Sequence, residues 1–429
     1  MPPSAVRIGL LGCGVVGTGF LKLLRERDRA IRDAVGAPLR LTRIAVRDPA
    51  KRRDADLAGA QVATDPLAVA NAEDVDLLVE LMGGEDALAP VLAGLRRGIP
   101  VVTANKHLLS LHGDELERAA AETGASLRYE ASAGGAIPVL QSLDHGLRTE
   151  RFQLLVAILN GTTNYILSTM ERDGRDFAEA LDAARGLGFA EADPSLDLSG
   201  ADTAQKLTIL ARRAFGVALP HGSIPTEGIV GMELEDLRQA DRFGYTVKLL
   251  GIALRKPEGL DIRVHPAFIP KRYLLASVRD EFNGIYFRGE ATGSMLFYGK
   301  GAGALPTAQA VLGDVMVSAR ETLQGRSVPR AVLPPEPERR LPLDEVRTKY
   351  YLRLIVEDRP GVLAVVAACL GGARVSVAQM HQAEGIRGEA TITMLTHEAR
   401  DRDVRDAVNG IAALPSIRKA PRAVRIFDI

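Results

Sequence analysis

Residues 186–206 read GLGFAEADPSLDLSGADTAQK, carrying Glu191, Asp193, Asp197 and Asp202 ahead of a single Lys206. An acidic run usually faces water. Asp202 and Lys206, however, stand four apart, on one helix face and one turn from each other. At a surface such a pair is worth only about a few tenths of a kcal/mol. The helix continues through Leu207, Ile209, Leu210 and Ala211; it is mostly apolar and expected to be buried, and Lys and Asp are seldom buried without a partner or a task. Gly186 and Gly188 break the preceding helix, Asp193-Pro194 favours a turn, and Ser199 is the expected N-cap. A second lysine, Lys106, follows VVTAN at the C-terminal end of a predicted parallel strand, where ligands of open α/β sheets gather. Lysine after a buried strand is also a common surface residue.

A third constellation is GLLGCGVVG, with Gly12, Gly14 and Gly17 in G-x-G-x-x-G spacing between a predicted strand and a predicted helix. One glycine turns tightly, one lets the backbone approach a pyrophosphate, and one lets helix and strand pack, with the helix N-terminus facing the phosphates. Dinucleotide binding follows. Cys13 in this loop reads as a small apolar filler. At the end of the second strand, an Asp or Glu would suit the ribose 2′-OH of NAD. The sequence has Arg47 there, with Asp48 beside it and Lys51, Arg52 and Arg53 just after, which suits the 2′-phosphate of NADP. The alternative for this basic cluster is a solvated helix start.

These residues need elements to position them. Val6 to Leu11, LRLTRIAVR (39–47), VDLLVELMG (75–83), IPVVTANK and SLRYEAS read as strands, with helices expected at Leu88–Arg97 and Asp114–Thr123. The continuously apolar runs belong in a parallel sheet covered on both faces, so the expected fold is α/β, a Rossmann-type doubly wound parallel sheet. After AGGAIPVL the pattern changes. RFQLLVAILNG (151–161), three helical stretches and then KLLGIALR, LDIRVHPAFI and GIYFRGEATGSMLFYG read as an α+β unit, an open and partly antiparallel sheet with helices on one face. Ala308, Val311, Leu312, Val315 and Ala319 repeat at helical spacing and can pack back on the first sheet. SVPRAVLPPEPERRLP (327–342) holds five prolines in sixteen residues, the mark of a stiff, extended linker. Beyond it the chain reads βαββαβ, a small ferredoxin-like unit.

Composition narrows the partner. In 429 residues, 54 basic and 54 acidic side chains cancel, so no global field attracts nucleic acid or an anionic membrane, and a small molecule is expected. Two cysteines, Cys13 and Cys369, make no disulfide framework, which fits a reducing cytosol. A strand starts almost at once after the N-terminus, leaving no room for a signal peptide, and no apolar run approaches a bilayer span, so a cytoplasmic enzyme is expected.

In the order GLLGCGVVG, VVTANK, EASAGGAIPVL, LNGTTNYIL, GFAEADPSLDLSGADTAQK and YGKGAGALPTA, the chain resembles homoserine dehydrogenase over nearly its whole length. The C-terminal unit, with DRPGVL at 358–363, resembles an ACT domain. The resemblance implies NAD(P)-dependent interconversion of L-homoserine and L-aspartate 4-semialdehyde, in threonine, methionine and isoleucine biosynthesis. It implies a nucleotide domain over 1–135 completed by helix 304–325, a substrate and dimerisation domain over 136–303, a linker over 326–345 and an ACT regulatory domain over 346–429. Lys206 becomes the expected acid/base and Lys106 the second active-site lysine, with Glu191 and Asp202 the carboxylates around the substrate. Cofactor contacts are implied at Gly12, Gly14, Val15, Val16, Gly17, Arg47, Thr103, Lys106, Gly188, Gly301 and Gly303, with NADP preferred over NAD. Glu130 and the carbonyls of Ala133, Gly135 and Ile137 would hold a monovalent cation such as sodium or potassium; these are hard oxygen ligands. LNGTTNYIL would lie near the substrate cleft.

Asp358, Gly361 and Val362, where a strand ends and a helix opens, would receive an amino-acid effector, L-threonine being the family's expectation. The following strand, ARVSVAQMH, departs from the Asn-Ile-Ser type common in ACT domains, so a purely dimerising role stays open. The resemblance also implies a homodimer through the substrate domain's sheet, or a homotetramer when ACT domains pair. Two other readings compete: another amino-acid or semialdehyde dehydrogenase on the same scaffold, and a non-catalytic sensor of NADP and an amino acid. A sensor needs no proton donor, which the retained lysines argue against. Aspartokinase activity is not expected, since no region precedes the glycine loop.

Overall fold

The computed structural model describes residues 5–51, 57, 59–325, 338–384 and 388–428. Arg52, Arg53 and most of the proline-rich linker therefore lie outside the described residues. Six parallel strands form the first sheet, in the order Gln61–Ala63, Leu39–Ala45, Val6–Leu11, Leu77–Glu80, Val101–Thr103 and Leu127–Arg128. This is the doubly wound order, and the direction of winding reverses between Val6–Leu11 and Leu77–Glu80. Leu77, Leu78, Val79 and Glu80 are all wholly buried, as a parallel strand sandwiched by helices requires. The long helix Ala304–Leu323 returns to this sheet from late in the chain. Its Ala308, Val311, Leu312, Val315 and Ala319 join Ile8, Phe20, Val79 and Val102 in one apolar cluster. It approaches helix Val15–Glu26 so closely that a Cβ on Gly19 would lie 2.9 Å from the Ala304 carbonyl oxygen.

The second sheet begins with Gly293–Lys300, Phe282–Gly289, Phe152–Ile158, Tyr245–Lys256 and Gly259–Pro270, each pair antiparallel. Against its apolar side lie helices Gly161–Asp173 and Ala201–Phe215. The C-terminal residues fold as βαββαβ with the strand order Ile417–Ile426, Arg347–Glu357, Glu389–Thr396, Val377–Glu384. This is the ferredoxin-like topology, with one feature the sequence pattern did not reveal. Ile417–Ile426 pairs in parallel with Gly259–Pro270, through Arg425 opposite Ala267 and Ile426 opposite Phe268, so both units share one continuous sheet. Each unit has an edge strand with unpaired backbone groups, and joining the edges satisfies them. Phe268 and Tyr351 stack across the joint, 4.7 Å between ring centroids.

Two local expectations are corrected. The helix expected from Asp114 starts at Lys106 instead and runs to Thr123. Gly113 in its middle argues against a helix by propensity, but a Cβ there would come within 2.7 Å of the Arg212 guanidinium, so packing between the two helices decides. Ser199 is not the N-cap of helix Ala201–Phe215. Gly200 is, at φ +83°, pressed against Thr226 and the Glu227 carbonyl, while Ser199 Oγ turns back to donate to the Leu196 carbonyl.

Phe268 is wholly buried at the joint, so Phe268→Ala is expected to cost about 3–5 kcal/mol in urea unfolding. A loss below about 1 kcal/mol would mean that the stacking contributes little at this joint.

Candidate functional site

The glycine loop is built as its spacing demands. Gly12 stands at φ +93°, and a Cβ on it would lie 2.8 Å from the Leu81 carbonyl oxygen. A Cβ on Gly17 would lie 2.7 Å from the Gly12 carbonyl oxygen, so strand, turn and helix pack without room for side chains. Gly14 caps helix Val15–Glu26 and faces open space, and Val15 is 73% exposed. Val16 turns inward against the sheet's core. Among the described residues nothing lies within 4 Å of a Cβ built on Gly14, so the helix N-terminus opens onto a space suited to phosphate. Arg47 is exposed just past the end of Leu39–Ala45, on the same edge of the sheet.

Further along that edge, Thr103 is wholly buried and donates its hydroxyl to Glu80 at 2.5 Å. Glu80 also accepts from the backbone of Met82 (2.7 Å) and Gly83 (3.0 Å). Burial pushes its carboxyl above the ordinary range. Asn105 then caps the next helix through Leu108 N and donates to the Gly84 carbonyl oxygen, which fixes where Lys106 begins.

Lys106, Asp202 and Lys206 come together. Asp202, 4% exposed, accepts from Lys206 Nζ at 2.7 Å through one oxygen and lies 3.3 Å from Lys106 Nζ through the other. Lys206 Nζ also donates to the Leu159 carbonyl oxygen at 2.8 Å, at the end of strand Phe152–Ile158. Burial works against the Asp202 charge, but the ammonium groups of Lys206 and Lys106 overcome it and hold the carboxyl down to about 2.

Asn160 and Asp197 complete the cluster. The Asn160 amide donates to Asp202 (2.9 Å) and to Asp197 (2.6 Å), while its oxygen caps helix Gly161–Asp173 through Thr163 N (2.8 Å). Thr162 Oγ1 donates to the second Asp197 oxygen at 3.0 Å. Asp197 is thus no solvated loop residue. Burial, followed by the neighbouring Asp202, raises its carboxyl above the usual range. By residue pattern alone, Asn160 was marked only as an N-cap position before Gly-Thr-Thr, while the resemblance put its segment near the substrate cleft. Asp193 behaves as a turn residue, accepting from Ser195 N at 3.0 Å. Glu191 is exposed on the same loop, outside this network, as is Gly188 at φ +75°.

The segments around Gly135 and Gly301 cross back to back. A Cβ on Gly135 would overlap the Gly301 carbonyl, the Asn283 amide occupies the place of a Gly301 side chain, and Gly303 at φ +119° opens helix Ala304–Leu323. Glu130, 2% exposed, accepts from Leu140 N (2.9 Å) and Gln141 N (2.6 Å) at the start of helix Val139–Asp144. Ala133 and Ile137 are buried beside it. In the C-terminal unit, Gly361 at φ +90° caps helix Val362–Gly372, Val362 is buried, and Asp358 is exposed.

Family models described as "Homoserine dehydrogenase, NAD binding domain" and "Homoserine dehydrogenase" match residues 12–130 and 138–316. Homoserine dehydrogenase from Corynebacterium glutamicum is 39% identical over 99% of this chain and 96% of that protein. The Neisseria gonorrhoeae enzyme is 36% identical over 99% of both. The chain belongs to the homoserine dehydrogenase family. A crystal structure of the homoserine dehydrogenase from Thiobacillus denitrificans superimposes with a TM-score of 0.92 at 38% identity, over 99% of this chain and 98% of that one. A homoserine dehydrogenase is an NAD(P)-dependent oxidoreductase that interconverts L-homoserine and L-aspartate 4-semialdehyde, and the small-molecule substrate expected from the neutral charge balance agrees. Among the described residues no helix is long and apolar enough to cross a membrane.

Because the Asp202 carboxyl is depressed in the folded state, its contribution to stability is complete above about pH 4, where the unfolded carboxyl is also ionised. It is lost as the pH falls towards about 2. Urea unfolding of wild type between about pH 5 and pH 2 should therefore show an acid-dependent loss that Asp202→Asn lacks. Parallel curves would contradict the ion-pair assignment.

Proposed function

We propose that Lys206 moves the proton in homoserine dehydrogenase turnover by this chain, that Lys106 and Glu191 hold the substrate's amino-acid end, and that NADP is the preferred cofactor. One observation carries the reading: a single buried carboxylate, Asp202, gathers both lysines. When bound, the nicotinamide supplies hydride to the aldehyde carbon. The Lys206 ammonium stabilises the oxygen that becomes the hydroxyl and then protonates it. Asp202 and the Leu159 carbonyl aim Lys206. Lys106 donates to the substrate's α-carboxylate, and Glu191 accepts from its α-ammonium. Asp197, tied through Asn160, keeps the Asp202 carboxylate oriented.

Gly12, Gly14, Val15, Val16 and Gly17 hold the pyrophosphate by their backbone. Arg47 and Lys51 take the 2′-phosphate, and the backbone at Thr103, Gly188, Gly301 and Gly303 borders the rest of the cofactor. Glu130 with the carbonyls of Ala133, Gly135 and Ile137 is an all-oxygen donor set, which suits sodium or potassium. We place the nucleotide domain at 1–135 with helix 304–325, the substrate domain at 136–303 and an ACT domain at 346–429. Exposed Leu363, Val365 and Met380 on that last unit favour pairing with a second copy, and exposed Leu274 favours a dimer through the substrate domain's sheet. A cytoplasmic location fits two unpaired cysteines.

Following NADP reduction with L-homoserine, Lys206→Ala is expected to lose about 10²–10⁴ of kcat while NADP affinity holds. A kcat within a few-fold of wild type would remove Lys206 from the role. Titration with L-threonine is expected to inhibit through Asp358, Gly361 and Val362; an unchanged rate leaves the enzyme and removes the effector.

A further inference from the structure

The helix that carries Asp202 and Lys206 rises from the turn Leu198–Gly200, and that turn rests on another backbone. Ile229 N donates to the Leu198 carbonyl oxygen at 2.9 Å. A Cβ on Gly228 would overlap the Leu198 carbonyl and lie 2.6 Å from Ser199 Cα, and a Cβ on Gly200 would lie 3.2 Å from the Glu227 carbonyl oxygen. Glu227 is in turn anchored to the second sheet by its N–H, donated to Val264 O at 2.8 Å.

The far side of the same segment is gripped by the C-terminal unit. Arg425, on strand Ile417–Ile426, reaches Glu227 at 2.8 Å, and its other nitrogens bind the buried Asp401, at 2.9 Å from Nε. Arg353, on strand Arg347–Glu357, holds Asp236 at 2.8 Å and Glu233 at 2.9 Å. Asp236 is wholly buried and both arginine side chains are nearly so. Another pair across the joint, Arg272 with Asp428, lies apart from this segment, but the two nearly buried arginines both point to it. The pairs that Arg425 and Arg353 make across the joint fall on residues 227–236, the stretch whose first residues seat the turn Leu198–Gly200.

We infer that Arg425 and Arg353 are positioning residues for the reaction: by holding the segment Glu227–Asp236 they fix the turn Leu198–Gly200, and with it the placement of Asp202 and Lys206. Close-packed backbone in contact cannot absorb a shift, so a displacement of the segment passes to the turn. The C-terminal unit is thereby part of the active site's framework whether or not it binds an effector. The inference rests on Asp202 and Lys206 carrying the chemistry, which Lys206→Ala tests separately.

Glu227 is 53% exposed in its side chain, so Glu227→Gln removes the ion pair without opening a core. In the full-length enzyme it is expected to lower kcat/KM for L-homoserine about five- to tenfold, with NADP affinity unchanged. Arg425→Lys, which keeps the charge, should lose less. A seam that is only structural would lower Tm and leave these constants alone. The inference is overturned if both variants keep kcat/KM for L-homoserine within about twofold of wild type. An equal loss of NADP affinity, the mark of general loosening, overturns it as well.

Discussion

Everything else at this site depends on one carboxylate that stays ionised where it is buried. Asp202 is removed from water, an unfavourable place for a charge, and two ammonium groups from different parts of the chain make it tolerable. Lys206 comes from its own helix, and Lys106 starts a helix of the first sheet. The same attraction that keeps Asp202 charged therefore joins a helix of the first sheet to one lying on the second. One ion cluster thus ties together residues far apart in the chain.

That cluster sits where two kinds of sheet meet. The parallel sheet ends its strands at glycine turns, leaving backbone N–H groups facing a cradle. The mixed sheet supplies the Leu159 carbonyl and the Asn160 cap from the end of a strand buried among apolar side chains. Both contributions come from element termini, where backbone groups lack partners within their own helix or strand. The cluster is thus built from element ends that rigid helices and strands hold in place.

The sequence made visible what depends on local spacing. Gly12 and Gly17 announced the turn because neither has room for a side chain, Gly14 leaves the helix N-terminus open, and Asp202 with Lys206 announced a pair because a helix repeats in 3.6 residues. What it hid depends on partners distant in the chain. Nothing near Asp197 says that Asn160 and Thr162 will bind it. Gly113 looks like a helix breaker until Arg212 fills the space above it. The shared sheet could not be read at all, since an edge strand has the same alternation whether its free side meets water or another strand. Lys106, ambiguous by position, acquired its partner only through the fold. The family resemblance supplied residue roles that neither periodicity nor spacing contains.

The helix Ala304–Leu323 has a consequence for how the chain is made. It covers Ile8, Phe20 and Val79, yet it is synthesised after the first five strands of the second sheet. A ribosome therefore releases the first sheet with part of its apolar face bare, and that face stays bare until some three quarters of the polypeptide has emerged. Domains that fold as units during synthesis bury such surface early. Here the apolar face of the first sheet is closed only once helix Ala304–Leu323 has been made.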